Sequence, residues 1–192
     1  HDEVVHGKCS LIGKMPGEYD DKFSSMRLFF GYMMAHPGKK LLFMGSEFGQ
    51  FKEWAYKEGL DWLLLDYEKH RQLQAFSKEL NHFYTAHPAL WQIDYSWEGF
   101  QWISSDDNSN SVIAFRRIDR DGKDLITVFN FTPNDHEDYR IGVPEKGTYK
   151  VVMDTALKKY GGTKPRLCGT YKTKKIPMHN MEQSISLKLS GL

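Results

Sequence analysis

The spacing of apolar residues changes at about residue 90, and this change constrains the fold more than any other feature of the sequence. Before it, apolar side chains recur every three to four residues, which predicts amphipathic helices. After it, apolar and polar residues alternate, as at Ile185, Leu187 and Leu189, which predicts half-buried strands. We therefore expect two domains, residues 1–90 and residues 91–192.

The first part of the chain has the pattern of half a β/α repeat. An amphipathic helix is predicted from Asp20 and ends before Pro37-Gly38. The run Leu41-Leu42-Phe43-Met44-Gly45 lacks alternation, which is typical of a strand buried on both faces of a parallel sheet. A long loop over 46–67 then leads into a second amphipathic helix. Loops that leave such strands commonly carry the chemistry of β/α folds.

The second part predicts an antiparallel β-sandwich, because short strands follow one another with turn residues between them. An Asp-Gly turn within 119–123 joins the first two, and Gly161-Gly162 is predicted as a turn. The predicted strands are 112–118, 125–131, 139–143, 149–153, 170–176 and 185–189.

Charge and composition exclude several classes of function. The net charge is +1, from 26 basic and 25 acidic residues, which gives no long-range attraction to nucleic acid or to an anionic membrane. No apolar run approaches the roughly 20 residues of a membrane span. Cys9 and Cys168 are far apart, which favours a reduced, cytoplasmic protein over a disulfide framework. Neither a phosphate-binding glycine loop nor a GxSxG elbow is present, and we expect no cofactor.

The first seven residues are the most polar candidate site. His1-Asp2-Glu3-Val4-Val5-His6-Gly7 holds two imidazoles and two carboxylates with no preceding strand, so we expect the chain to be part of a larger protein. The Asp2 carboxylate could bind sugar hydroxyls, ligate a metal or act as acid or base, and His1 could donate to a substrate hydroxyl. No metal is expected, because the spacing of metalloenzyme motifs is missing. The alternative is an exposed terminus without a role.

Two tryptophans in the long loop are candidate sugar contacts. Trp54 and Trp62 lie among carboxylates and a glutamine, and flat aromatic faces beside hydrogen-bonding groups suit pyranose rings. The alternative is that they anchor the loop to the domain. Other histidines are expected at helix ends, in loops or on the surface; they are His36, His70, His82, His87 and His179.

Several longer motifs resemble bacterial glycogen branching enzymes of the α-amylase clan, and the resemblance covers essentially the whole chain. The matching segments are 1–8, 14–17, 31–33, 36–45, 47–50, 60–62, 130–133 and 160–162. The resemblance implies an enzyme that cuts an α-1,4 linkage of a glucan and transfers the segment to a 6-hydroxyl. It implies a (β/α)8 TIM barrel followed by a C-terminal β-sandwich, and a retaining mechanism with one carboxylate as nucleophile and another as acid/base.

The resemblance also assigns residues. Asp2 matches the third carboxylate, which stabilises the transition state, and His1 matches the adjacent substrate-binding imidazole. Glu47 matches a position near the donor site, whereas Ser46 stands where many relatives carry glutamine. The nucleophile and the acid/base belong to earlier barrel strands that this sequence does not contain.

We therefore expect the last β/α repeat of a barrel plus the sandwich, with the remainder of the barrel as partner and α-glucan as substrate. Such a chain should be inactive alone. The alternative is a glucan-binding or interaction module without catalysis.

Overall fold

A computed structural model describes residues 3–192, which form two compact units. The first unit contains the described residues up to Met34, together with Lys39–Ala86 and Thr155–Pro165. The second contains Ala35–Gly38, His87–Asp154 and Arg166–Leu192. Among residues 3–192, none of the helices combines the length and the apolar character that a bilayer crossing requires.

Two helices dominate the first unit, and their prediction is confirmed. They are α1 (Tyr19–Ala35) and α2 (Glu68–Ala86). Asp20 and Asp21 occupy the first turn of α1, where carboxylates interact favourably with the helix dipole. Each helix buries side chains at helical spacing, and these are Phe23, Met26, Phe30 and Met34 of α1 and Leu73, Phe76 and Leu80 of α2.

His70 lies in the first turn of α2, at a helix end as expected, and it is buried there. Its Nδ1 is 2.7 Å from the carbonyl oxygen of Phe48, and its ring meets the Phe23 ring edge-on at 4.9 Å. A buried imidazole is tolerated when it is hydrogen-bonded. The backbone partner comes from the loop 22 residues away, which sequence periodicity does not reveal.

The strand predicted at Leu41-Leu42-Phe43-Met44-Gly45 is not formed. This segment is irregular, and within residues 3–192 no strand pairs with it. Leu41 and Met44 are 60% and 56% exposed, so the apolar pattern is present without the burial that it predicts. A strand requires a neighbour to satisfy its backbone donors and acceptors, and the described chain supplies none here.

A segment far along the sequence packs on the helices of the first unit. Tyr160 is 2% exposed and its ring meets that of Phe76 edge-on at 5.0 Å. Burial raises the pKa of Tyr160 to about 12. Arg27 donates from Nε to the carbonyl oxygen of Thr155 at 3.0 Å, and burial lowers the pKa of Arg27 to about 10. The apolar and polar contacts together fix Thr155–Pro165 on α1 and α2.

The predicted turn at Gly161-Gly162 is confirmed, and it allows this packing. Gly161 ends the 3₁₀ turn Lys158–Tyr160 with a φ of 86°, a left-handed conformation that favours glycine. At Gly162 an added Cβ would lie 2.2 Å from the carbonyl oxygen of Ala156, so a side chain would force the turn apart.

The second unit contains seven antiparallel strands, which confirms an antiparallel all-β domain. A three-stranded sheet has the order β1-β2-β3, and two-stranded sheets pair β4 with β7 and β5 with β6. The predicted hairpin forms in register, from Val112↔Asn130 to Ile118↔Asp124. The strands are β1 (Phe100–Asp107), β2 (Val112–Ile118), β3 (Asp124–Asn130), β4 (His136–Val143), β5 (Thr148–Lys150), β6 (Thr170–Lys172) and β7 (Gln183–Leu189).

Buried side chains from the β1-β2-β3 sheet and the β4-β7 sheet share one core. It consists of Ile103, Ala114, Ile141, Val143, Ile185 and Leu187. On the other face of β2, Phe115 is fully buried and its ring lies 5.2 Å from Phe100 and 5.7 Å from Phe129. The strand β1, which sequence analysis missed, carries a register shift and exposed residues that disturb its alternation.

Tyr139 of β4 connects this strand to β1 through a charged hydrogen bond. Its hydroxyl donates to Asp107 Oδ2 at 2.6 Å, and burial raises the pKa of Tyr139. This bond, followed by those from Asn110, lowers the pKa of Asp107. The ionised carboxylate is thus the form that the folded state favours.

Tyr139→Phe should destabilise the chain by about 1–2 kcal/mol at neutral pH, because it removes a hydrogen bond to a charged acceptor. The pKa of Asp107 in the folded state lies below its value in the unfolded chain, which is about 3.9. The stabilisation by this hydrogen bond is therefore complete at pH values above the unfolded pKa. The stabilisation is lost as the pH falls through the pKa that Asp107 has in the folded state. The check is the free energy of unfolding in urea, measured for the wild type and for Tyr139→Phe across pH 2.5–7. Tyr56→Phe, which changes an exposed tyrosine, is the control. A difference that grows in acid would contradict it.

Candidate functional site

The loop that follows His1 and Asp2 has an unusual backbone. His6, Gly7 and Cys9 all have positive φ, at 60°, 79° and 66°. Left-handed residues turn neighbouring N–H groups toward one side, and such a concave set of donors binds anions. Here the anion is the Glu53 carboxylate, which accepts from Gly7 N at 2.8 Å and from Cys9 N at 2.6 Å.

Glu53 belongs to the long loop between α1 and α2, and Gln50 organises this loop from within. Gln50 is 6% exposed, and its side-chain amide forms hydrogen bonds with two backbone groups of this loop. Its Nε2 donates to the carbonyl oxygen of Lys52 at 3.0 Å, and its Oε1 accepts from Asp61 N at 2.8 Å. An added Cβ at Gly45 would lie 3.0 Å from the Gln50 side chain, so this packing is close. The loop therefore has a defined conformation where it presents Glu53.

A shallow surface depression, with enclosed space for about one water molecule, lies between the N-terminal loop and this long loop; we refer to it as the cleft. Val4 and Ser10 line it from one side, and Trp54 from the other. The Trp54 ring meets the Phe43 ring edge-on at 5.4 Å, so its orientation is fixed by packing. The remaining lining residues are Leu11, Met44, Gly45, Ser46, Gln50 and Lys52.

Of the three loop residues predicted to bind substrate, only Trp54 lines this cleft. Trp62 is 56% exposed and its ring lies 5.2 Å from that of the fully buried Phe48. Glu47 is half-buried, and its main-chain carbonyl oxygen accepts a hydrogen bond from Ser77 Oγ of α2 at 3.1 Å. This bond connects the long loop to α2. The structure therefore does not gather Trp54, Trp62 and Glu47 into one cleft.

His1 and Asp2, the predicted catalytic pair, lie outside the described residues, and their roles remain predictions. Glu53 and Gln50 were visible in the sequence only as two polar residues among many in the long loop. No sequence signal distinguishes them, because their partners are backbone groups, and those of Glu53 are 44 and 46 residues away. Within residues 3–192, no group of three or more His, Cys, Asp and Glu side chains is arranged to hold a metal ion.

The β-rich part of the chain is similar to a known family of domains. Residues 102–192 match the family described as alpha amylase, C-terminal all-beta domain. This match covers β1 to β7 except for the first two residues of β1. It agrees with the antiparallel sheets and the shared core described above.

The chain as a whole is homologous to the C-terminal part of bacterial 1,4-alpha-glucan branching enzymes. It is 51% identical over its full length to GlgB of Halothermothrix orenii and 52% identical to GlgB of Aquifex aeolicus, and covers 31% of each. It is also 47% identical to GlgB 1 of Clostridium perfringens, with 98% of this chain and 28% of the relative aligned. The chain thus spans about a third of the length of these relatives.

Proposed function

We propose that this chain is the C-terminal part of a 1,4-α-glucan branching enzyme of glycogen synthesis. Such an enzyme cleaves an α-1,4 linkage and transfers the released segment to a 6-hydroxyl, which creates an α-1,6 branch. The observation that carries the proposal is an identity of about half of all residues, over the whole chain, with relatives that bear this name. The chemistry retains the anomeric configuration through a glycosyl-enzyme intermediate.

In this proposal residues 1–90 complete a (β/α)8 barrel whose other strands precede them. The segment Leu41-Leu42-Phe43-Met44-Gly45 becomes its last strand once a neighbouring strand is available. The high exposure of Leu41 and Met44 supports this, since these side chains supply the two apolar faces that a barrel strand buries. Residues 91–192 form the sandwich that follows the barrel.

Asp2 is the proposed transition-state stabiliser and His1 the proposed substrate-binding imidazole. Trp54 is the best supported of the further sugar contacts, because it lines a cleft beside the loop that follows Asp2. The exposed ring of Trp62 offers a second flat surface. Glu47 is assigned a donor-site role on the resemblance alone. Free Cys9 and Cys168 are compatible with a reduced cytoplasmic location.

The nucleophile and the acid/base belong to the part of the relatives that this chain does not cover. We therefore expect no branching activity from the 192-residue chain alone. The full-length protein, meaning this chain joined to the barrel residues that precede it in its relatives, should be active. Both are incubated with amylose, and branching is followed by loss of iodine colour and by new α-1,6 anomeric signals in the proton NMR spectrum. Activity from the 192-residue chain, or none from the full-length protein, contradicts the proposal.

A second candidate function is glucan binding without catalysis. Two aromatic residues in the second unit favour it, because Tyr95 and Trp97 are 78% and 83% exposed. Exposed rings two positions apart can stack on a sugar chain. Co-sedimentation of the 192-residue chain with glycogen tests this function, and Trp97→Ala should abolish pelleting if the surface binds glucan. If the folded chain stays in the supernatant when glycogen chain ends are present at millimolar concentration, the glucan-binding function is contradicted.

A further inference from the structure

Both oxygens of the Glu53 carboxylate are engaged by the loop that follows His1 and Asp2. Oε2 accepts from Gly7 N at 2.8 Å and Oε1 from Cys9 N at 2.6 Å. Hydrogen bonds to an ionised acceptor are short and about twice as strong as neutral ones. A two-point contact also fixes the direction of the loop, because one bond alone would leave it free to rotate about that bond.

Side-chain packing contributes little at Gly7. Around Gly7, no heavy atom from outside its immediate neighbours lies within 4 Å of where a Cβ would stand. Gly7 and Cys9 are exposed, and the next buried position in the chain is Ser10. Left-handed φ values at His6 and Cys9 are costly for residues other than glycine, so they need compensation. The carboxylate provides it, because it binds the donors that this backbone conformation turns to one side.

The carboxylate is itself held in place. Gln50 Nε2 donates to the carbonyl oxygen of Lys52, the residue before Glu53, and Trp54, the residue after it, packs on Phe43. Glu53 thus joins an internally bonded loop to the exposed backbone at Gly7 and Cys9. Asp2 is five residues before Gly7 in the sequence.

We propose that Glu53 is a positioning residue of the branching reaction: its carboxylate clamps the backbone at Gly7 and Cys9 and thereby sets the place of the Asp2 carboxylate at the reacting sugar. The proposal rests on the proposed function. Glu53 does not contact substrate in this mechanism and acts through Asp2. Since Asp2 works in the transition state, loss of the clamp lowers kcat and leaves KM nearly unchanged.

The test uses the full-length protein with Glu53→Ala, Glu53→Gln and Glu58→Ala. Glu53→Ala should lower kcat about 10- to 100-fold, the effect of a displacement near 1 Å at a reacting group. Glu53→Gln should retain part of the rate, because its amide oxygen still accepts a backbone N–H. Glu58→Ala is the matched control, since Glu58 lies on the same loop and pairs with Lys52 at the surface. An unchanged kcat in Glu53→Ala overturns the proposal.

Two further readouts separate positioning from a general structural role. Amide hydrogen exchange in peptides spanning residues 3–12 should become faster in Glu53→Ala and stay unchanged in Glu58→Ala. If exchange is unchanged in both variants, Glu53 does not hold the backbone at Gly7 and Cys9. In an Asp2→Asn background, Glu53→Ala should cause no further loss of kcat, because the group that it positions is already disabled. A multiplicative loss overturns the proposal. If the full-length wild-type protein has no branching activity, the proposed function fails, and the exchange result on the contact of Glu53 with Gly7 and Cys9 still stands. If the wild type is active and Asp2→Asn alone has no effect, Asp2 is not catalytic and the positioning role of Glu53 is overturned.

Discussion

Asp2→Asn in the full-length protein should lower kcat by about two to three orders of magnitude, comparable with the loss of one preorganised group that stabilises transition-state charge. Positive charge develops at the anomeric carbon as the glycosidic bond breaks, and a carboxylate beside it stabilises this charge. Asparagine has nearly the same shape but no negative charge. The loss therefore falls on the transition state, and we expect a much smaller change in KM.

The measurement is initial branching rate against amylose concentration, with circular dichroism to confirm that the variant folds. Glu3→Gln is the matched control, because it makes the same chemical change one residue later. The Glu3 side chain is 75% exposed and pairs with Lys8 and Lys14 on the same loop, so its charge should not affect the rate. If Asp2→Asn keeps more than half of the wild-type kcat, Asp2 is not a catalytic residue.

The helices and the β2–β3 hairpin could be predicted from sequence because their signals are local. The face of α1 repeats its apolar residues within the helix itself, and the Asp-Gly turn lies between the two strands that it joins. Gly122, with a φ of 78°, takes the position in that turn that favours glycine. In each case the residues that determine the structure are close together in the chain.

One strand prediction failed, and two contacts were not predicted, because the residues concerned have partners that are distant or missing. Leu41-Leu42-Phe43-Met44-Gly45 has the composition of a buried strand, but no strand among residues 3–192 pairs with it. His70 is buried because a carbonyl from the long loop meets it. Thr155–Pro165 joins the helical unit through Tyr160, although the sequence around it belongs to the strand-rich part. Local periodicity carries no information about these contacts.

The clamp at Glu53 was hidden for a related reason. Its donors are backbone N–H groups, which every residue except proline possesses, so residue types do not reveal them. Only the left-handed conformation of His6 and Cys9 makes these donors converge. Polar contacts of side chains with distant backbone thus organise both the candidate site and the second unit, where Arg117 has the same kind of role.

Arg117 of β2 is fully buried and has a partner for each of its three guanidinium nitrogens. Its Nη2 donates to Asp94 Oδ1 at 2.9 Å, Nη1 to the carbonyl oxygen of Ala35 at 2.8 Å, and Nε to that of Gly99 at 3.2 Å. The Asp94 side chain is 7% exposed, and its Oδ1 also accepts from Gly38 N at 3.1 Å. One guanidinium therefore joins β2 to Ala35 and to the stretch of chain that contains Asp94 and Gly99.

Arg117→Ala should destabilise the chain by about 3–5 kcal/mol, because it leaves the Asp94 carboxylate buried without its counter-charge. It also removes the donor from two carbonyl groups, each of which carries a cost of its own. Arg117→Lys should be intermediate, since one ammonium cannot reach all three acceptors in the planar arrangement of the guanidinium.

Urea unfolding of the 192-residue chain, followed by tryptophan fluorescence and circular dichroism, measures these effects. Arg116→Ala is the matched control on the neighbouring position of β2, where the 3.3 Å pair with Asp124 is about one-fifth exposed. Arg116→Ala should lower the free energy of unfolding by at most about 1 kcal/mol. Asp94→Ala in the Arg117→Ala background should recover part of the loss, because the unpaired charge is then gone. If Arg117→Ala destabilises the chain no more than Arg116→Ala does, the buried ion pair does not hold these parts of the second unit together.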